Sequence, residues 1–122
     1  MRAEEKMQSW LTSCNALVSR VGDRIEAVGR AQAQEMPNVC FDRTNSVPER
    51  DLCGDTGFAL VAMTVEVEAK TWLQAREIAK VIRKHLKKKA LLIYFEEDKD
   101  EEREPTVYYF SQTFQVSELE DI

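Results

Sequence analysis

No stretch of this sequence is long and apolar enough to cross a membrane. The most apolar run, Phe58 to about Val65, falls far short of the ~20 residues a spanning helix needs. Charges in the opening MRAEEKMQSW interrupt the apolar segment that a secretory leader requires. Cysteine is scarce and odd in number: Cys14, Cys40 and Cys53, with no CxxC spacing. That excludes a disulfide framework and fits reduced thiols in a protein made in the cytosol. Histidine occurs once, at His85. A zinc site would have to gather Cys14, Cys40, Cys53 and His85 with no short ligand pair among them, so no metal site is expected. GxGxxG, Walker, GxSxG and HExxH patterns are all absent, which leaves no local signature of catalysis and no cofactor to expect. Positive charge is also short, with 17 Lys and Arg against 22 Asp and Glu. A net charge of −5 argues against a duplex nucleic-acid binder, which needs a basic face to displace counterions.

What is present suits one globular domain. A chain of 122 residues buries roughly two-thirds of its unfolded surface, enough for a core without staples. Met7, Trp10, Leu11, Cys14, Leu17, Val18 and Val21 fall at helical three-four spacing, which predicts an amphipathic helix over about residues 3–21. Gly22 then suits a left-handed cap. A short strand is expected at Arg24 to Val28, a loop from Gly29 to Asn38, and a strand over Val39 to Ser46 with Val39 and Phe41 on one face. Val47 to Gly57 is dense in turn formers and reads as a long loop.

The clearest strand is Phe58 to Ala69. Ala59, Val61, Met63, Val65, Val67 and Ala69 form one apolar face, and the other turns polar at Thr64, Glu66 and Glu68. Thr71 with Gln74 makes a capping box for a second helix whose buried stripe is Trp72, Ala75, Ile78, Ala79, Ile82 and Leu86. Lys87 to Lys89 lie at its negative end. Ala90 to Glu96 and Thr106 to Ser117 pair as a long C-terminal hairpin around an acidic loop, EEDKDEEREP, with a frayed tail from Glu118 to Ile122. The element order defines an α+β fold, in which an antiparallel or mixed sheet carries two amphipathic helices.

Few constellations carry chemistry. Cys53 in the turn CGDTG with His85 as base would need the two in hydrogen-bond reach, and the sequence instead places His85 as an exposed residue near a lysine-rich helix end. Asp98, Asp100 and Glu102 alternate like calcium ligands, but the glycine and glutamate that such a loop needs are replaced by Arg103 and Tyr109. The strongest candidates are therefore contact residues: Glu96, Glu97, Asp98, Asp100, Glu101 and Glu102 of the acidic loop, and Arg50 and Asp51 of the long loop. The acidic run reads either as a solvated tip that blocks edge association or as a docking element.

Several short motifs then fall in a familiar order. They are Val21-Gly-Asp-Arg-Ile25, Pro37-Asn-Val-Cys-Phe-Asp-Arg43, Pro48-Glu-Arg-Asp-Leu52, Gly54-Asp-Thr-Gly57, Val65-Glu-Val-Glu-Ala-Lys-Thr-Trp72, Ala75-Arg-Glu-Ile-Ala79 and the aromatic Tyr108 to Phe114. In this order, over roughly residues 7 to 116, the chain resembles the tail-completion (tail-terminator) proteins of tailed phages and prophages; the long acidic hairpin loop departs from the shorter one of that family. The resemblance implies a single-domain structural protein, and no enzyme. It would form a homohexameric ring that caps the tail tube, ends tail polymerisation and offers the head-attachment surface. The implied partners are further copies of itself, the tail tube protein and the head–tail connector protein. DNA would pass through the ring without specific binding, and the protein would reside in the virion after assembly in the bacterial host cytoplasm. Six copies at −5 total about −30, so the pore side is expected to be acidic. Two alternatives stay open: a head-completion or connector protein of the neck, and a small α+β ligand-binding domain or enzyme with an apolar pocket.

Overall fold

The computed structural model describes residues 2–27, 35–44 and 58–119. Among them run α1 (Ala3–Thr12), α2 (Asn15–Val21), β1 (Ile25–Glu26), β2 (Asn38–Arg43), β3 (Phe58–Ala69), α3 (Trp72–Leu86), β4 (Leu91–Asp100) and β5 (Val107–Leu119). The strands make one mixed five-stranded sheet in the order β1-β2-β3-β5-β4. Only the β1–β2 pairing is parallel. All three helices bury residues in a single core against one face of this sheet, so the fold is α+β as its element order predicts.

Alternation in β3 sets that face. Val61, Met63, Val65, Val67 and Ala69 are buried, and register places Phe110, Phe114 and Val116 of β5 and Val39 and Phe41 of β2 beside them. Ala3, Met7 and Leu11 of α1, Leu17 and Val21 of α2, and Ala75, Ile78, Ala79, Ile82 and Leu86 of α3 close over it. Each fully buried aliphatic side chain contributes about 1.5–3 kcal/mol. Gly22 caps α2 with φ of 62°, the left-handed region open to glycine, while its N–H donates to the Val18 carbonyl at 2.8 Å.

The N-terminal helix expected over residues 3–21 is in fact two. Thr12 Oγ1 donates to the Gln8 carbonyl at 2.7 Å, and Ser13 Oγ to the Trp10 carbonyl at 3.0 Å. Hydroxyls that bond back to the preceding turn compete with helix propagation, and Cys14 is extended, with φ −85° and ψ 102°. Of the expected apolar face, Met7, Leu11, Cys14, Leu17 and Val21 are buried across the break, whereas Trp10 is only partly buried and Val18 is exposed because α2 starts afresh after Cys14. At the far end of the chain Glu118 and Leu119 belong to β5, paired with Ala59 and Phe58, rather than to a frayed tail. Residues 120–122, the expected loop from Val47 to Gly57, residues 29–34 of the loop expected from Gly29 to Asn38, and Val28, Asn45 and Ser46 of the expected strands lie outside the described residues.

Two further expectations change on the C-terminal side. Thr71 caps α3 by accepting the Gln74 N–H at 3.2 Å, but Trp72 does not join the buried stripe and is 42% exposed. Its indole N–H needs a polar partner, which Glu97 supplies at 2.9 Å. Half of the acidic segment is strand: β4 runs to Asp100, and the turn is confined to residues 101–106. Pairing of Glu96, Glu97, Asp98, Lys99 and Asp100 with Ser111, Phe110, Tyr109, Tyr108 and Val107 extends the ladder through the charges.

Candidate functional site

β4 is the outermost strand on its side of the sheet, and among the described residues no strand pairs with its far edge. Its first half is apolar yet exposed: Leu91 62%, Ile93 47%, Tyr94 58% and Phe95 53%. A register shift between Leu92 and Tyr94 lets one residue bulge there. Beyond it, Tyr94, Glu96 and Asp98 turn away from the helices, while Phe95, Glu97 and Lys99 share the side on which α3 lies. Phe95 stacks parallel to Phe110 with centroids 6.1 Å apart, and the Arg83 guanidinium lies 5.2 Å from the Phe95 ring. Arg76 lies 5.1 Å over Trp72. A cation over an aromatic face is attracted by the ring quadrupole, so the Arg83–Phe95 contact helps hold β4 to α3.

The structure brings the six predicted acidic contact residues together on one hairpin arm, and most have a defined neighbour. Glu96 accepts the Tyr94 hydroxyl at 3.1 Å, which holds that phenol above its ordinary value. Glu97 takes the Trp72 indole, Asp98 Oδ1 the Lys99 N–H at 2.8 Å, and Asp100 Oδ1 the Glu102 N–H at 3.1 Å. Glu101 lies 2.9 Å from Lys99 and raises the pKa of its ammonium. Arg50 and Asp51, and Cys53 with them, lie outside the described residues.

At the other end of the same arm, α3 and the start of β4 enclose a groove of about 470 Å³. Its floor is Ala90, Leu92 and Phe114, and its rim carries Lys80, Arg83, Lys84 and Lys87. The sequence places Lys87 to Lys89 at the negative end of α3, but the apolar floor beside this basic stretch arises only from the packing of α3 on β5. His85 is not the exposed residue expected. It is partly buried, and its Nε2 lies 2.8 Å from the Trp10 carbonyl, one of the C-terminal carbonyls that α1 leaves without a helical partner.

On the sheet face away from the helices lies a polar cluster that sequence reading missed. Ligand-bearing atoms of Cys40, Glu66 and Glu68 all lie within 4.8 Å of one another. Ser111 Oγ donates to Glu66 at 2.8 Å, and Arg103 Nη1 lies 3.9 Å from Glu68 and 3.1 Å from the Tyr109 hydroxyl. The signal available was the i, i+2 spacing of Glu66 and Glu68 on one strand face; what was missing was the β2 register that sets Cys40 opposite Glu66. A thiol and two carboxylates form a mixed donor set, here already engaged by Ser111 and Arg103. Cys14, by contrast, is buried at the α1–α2 break, and neither it nor Cys40 is in a disulfide.

Among the described residues these features define a class: a three-helix, mixed-sheet α+β fold whose unusual exposed chemistry runs along an edge hairpin with no further strand paired to it. The same fold occurs in a chain of the solved structure of the virion of the native gene transfer agent (GTA) particle, with a TM-score of 0.71 at 11% identity over 95% of this chain and 93% of that one. No family of known proteins matches the sequence, and no curated protein does.

Proposed function

We propose that this chain is a structural protein of a virion. In the finer reading it closes into a homohexameric ring on the tail tube, ends tail polymerisation and presents the surface to which the head connector attaches. Its work is then assembly, with no chemical step. The observation that carries the reading is the fold match to a protein of a virion particle over nearly the full length of both chains. The unpaired, apolar first half of β4 supports it, because soluble monomers blunt such edges with charge or cover them. A ring requires a heterologous contact between two different patches, and the arm formed by α3 and β4 offers patches of opposite charge.

The test is addition of the purified chain to polymerising tail tube protein. Capped tubes of bounded length are expected, with six copies of the chain at one end. Tubes that continue to elongate in its presence would sink the reading. Preferential capture by the connector complex, with no binding to tubes, would move it to a neck protein. In a ring of net charge about −30, DNA passes the pore without adhering; a ring structure with a basic lumen would overturn that part.

A further inference from the structure

The two ends of the α3–β4 arm carry opposite charge. Residues 96–104 hold seven carboxylates against Lys99 and Arg103, whereas residues 80–89 hold six Lys and Arg and no acid. The basic end is shaped, since four of its cations rim the groove over Ala90, Leu92 and Phe114. The acidic end is shaped too: its turn projects beyond the end of β4, and Glu101, Glu102, Glu104 and Pro105 are all exposed.

Glu96, Glu97, Asp98 and Asp100 lie along β4, and the exposed turn follows it. The ten residues of β4, at about 3.3 Å each, put roughly 30 Å between that turn and the Ala90 end of the groove. One chain therefore cannot fill its own groove with its own tip, and at this spacing the two are screened from each other at physiological salt. From this geometry we infer that the hairpin turn of one copy docks in the basic groove of the next. Pro105 supplies an apolar group for the floor, and Glu101, Glu102 and Glu104 meet Lys80, Lys84 and Lys87. A phosphate backbone also fits a basic rim, but the apolar floor and the matching acidic turn on the same chain favour a second copy. Because tip and groove are different patches, the contact is head-to-tail and propagates around a closed ring. The inference rests on the ring reading only in taking another copy as the occupant.

A charge swap tests it. One variant carries Glu101→Lys, Glu102→Lys and Glu104→Lys; the other carries Lys80→Glu, Lys84→Glu and Lys87→Glu. All six positions are exposed, and an unchanged melting midpoint checks that both variants fold. Alone, each variant opposes like charges at the contact, and self-association measured by sedimentation velocity is expected to weaken at least roughly tenfold. Mixed in equal amounts, the two alternate: a basic tip meets an acidic groove and an acidic tip a basic groove, so association is expected to return.

Variants that assemble alone like the wild type overturn the contact while leaving the ring intact. A mixture that stays dissociated overturns the contact as well. A recovered open filament in place of a closed species keeps the contact and sinks the closed ring. A groove variant that loses binding to a short DNA duplex yet associates normally assigns the rim to phosphate and overturns the inference, and a wild-type chain that stays monomeric throughout overturns it too.

Discussion

Arg103, at the turn of the hairpin, brings its guanidinium to 3.9 Å from the carboxylate of Glu68, a fully buried residue of β3. The same guanidinium donates to the Tyr109 hydroxyl at 3.1 Å. The Arg103 side chain thereby ties the turn to the sheet face opposite the helices. This orientation gives the acidic tip a fixed position relative to β4, which a docking element needs if binding is not to cost ordering entropy.

Removing the cation while the carboxylate stays buried is therefore expected to be expensive. Arg103→Ala should destabilise by about 2–4 kcal/mol. Arg103→Ala combined with Glu68→Gln should cost less than the arginine change alone, since the buried charge goes with its partner. Urea unfolding of Arg103→Ala, Glu68→Gln and the double variant measures the coupling. Additive effects would show that Arg103 does not serve Glu68.

Arg43 and Glu4 tie α1 to β2 through a bond of 2.7 Å. Hydrogen bonding from Arg43 holds Glu4 below its ordinary value of 4.5, against a partial desolvation that acts the other way. A depressed folded-state value means that the pair stabilises fully above that ordinary value and loses its effect as pH falls through the lower, folded one. Both side chains are about one-third exposed, at 33% and 29%, so the gain is at most ~1 kcal/mol. The stability gap between wild type and Arg43→Met should be present at pH 7 and close at acid pH. A gap that widened on acidification would contradict this assignment.

Gln112 is the fully buried polar residue on the helix-facing side of β5. Its Nε2 donates to the Ala79 carbonyl at 2.9 Å, and its Oε1 accepts from Arg83 Nε at 2.9 Å. Gln112→Leu preserves volume but strips both bonds, at an expected cost of about 1–3 kcal/mol. The release of Arg83 should also loosen its position over Phe95, visible as a change in side-chain NMR contacts between the two residues. Unaltered Arg83–Phe95 contacts would show that Gln112 does not position the guanidinium.

Local rules made much of this legible. Strict alternation marked β3 from Phe58 to Ala69 to the residue, Thr71 read as an N-cap, and Gly22 read as a left-handed terminus; each depends only on neighbours in sequence. The failures lie where a distant strand decides the outcome. Trp72 sits at stripe spacing, yet it opens α3 over the hairpin and turns its indole to Glu97. The acids of β4 look like a loop because charge opposes strand propensity, but β5 supplies a long ladder partner that carries them along. The Cys40–Glu66–Glu68 cluster and the groove over Phe114 both require register and packing that no single segment encodes.

Within β4, charge protects one half of the edge and not the other. From Glu96 to Asp100 carboxylates discourage strand addition, whereas Leu91 to Phe95 present apolar side chains on an unpaired edge. If that half serves assembly, a single lysine there should separate folding from association. Ile93, 47% exposed at the register shift, is the position of choice. Replacement of a surface residue away from the core changes stability by about 0.5 kcal/mol or less, so Ile93→Lys should melt like the wild type. Its binding to tail tube ends, followed by electron microscopy of capped tubes, should nevertheless be lost, because insertion of the neighbour would bury an ammonium without a partner. Normal capping by a well-folded Ile93→Lys chain would place the contact elsewhere and leave the apolar edge without a role in assembly.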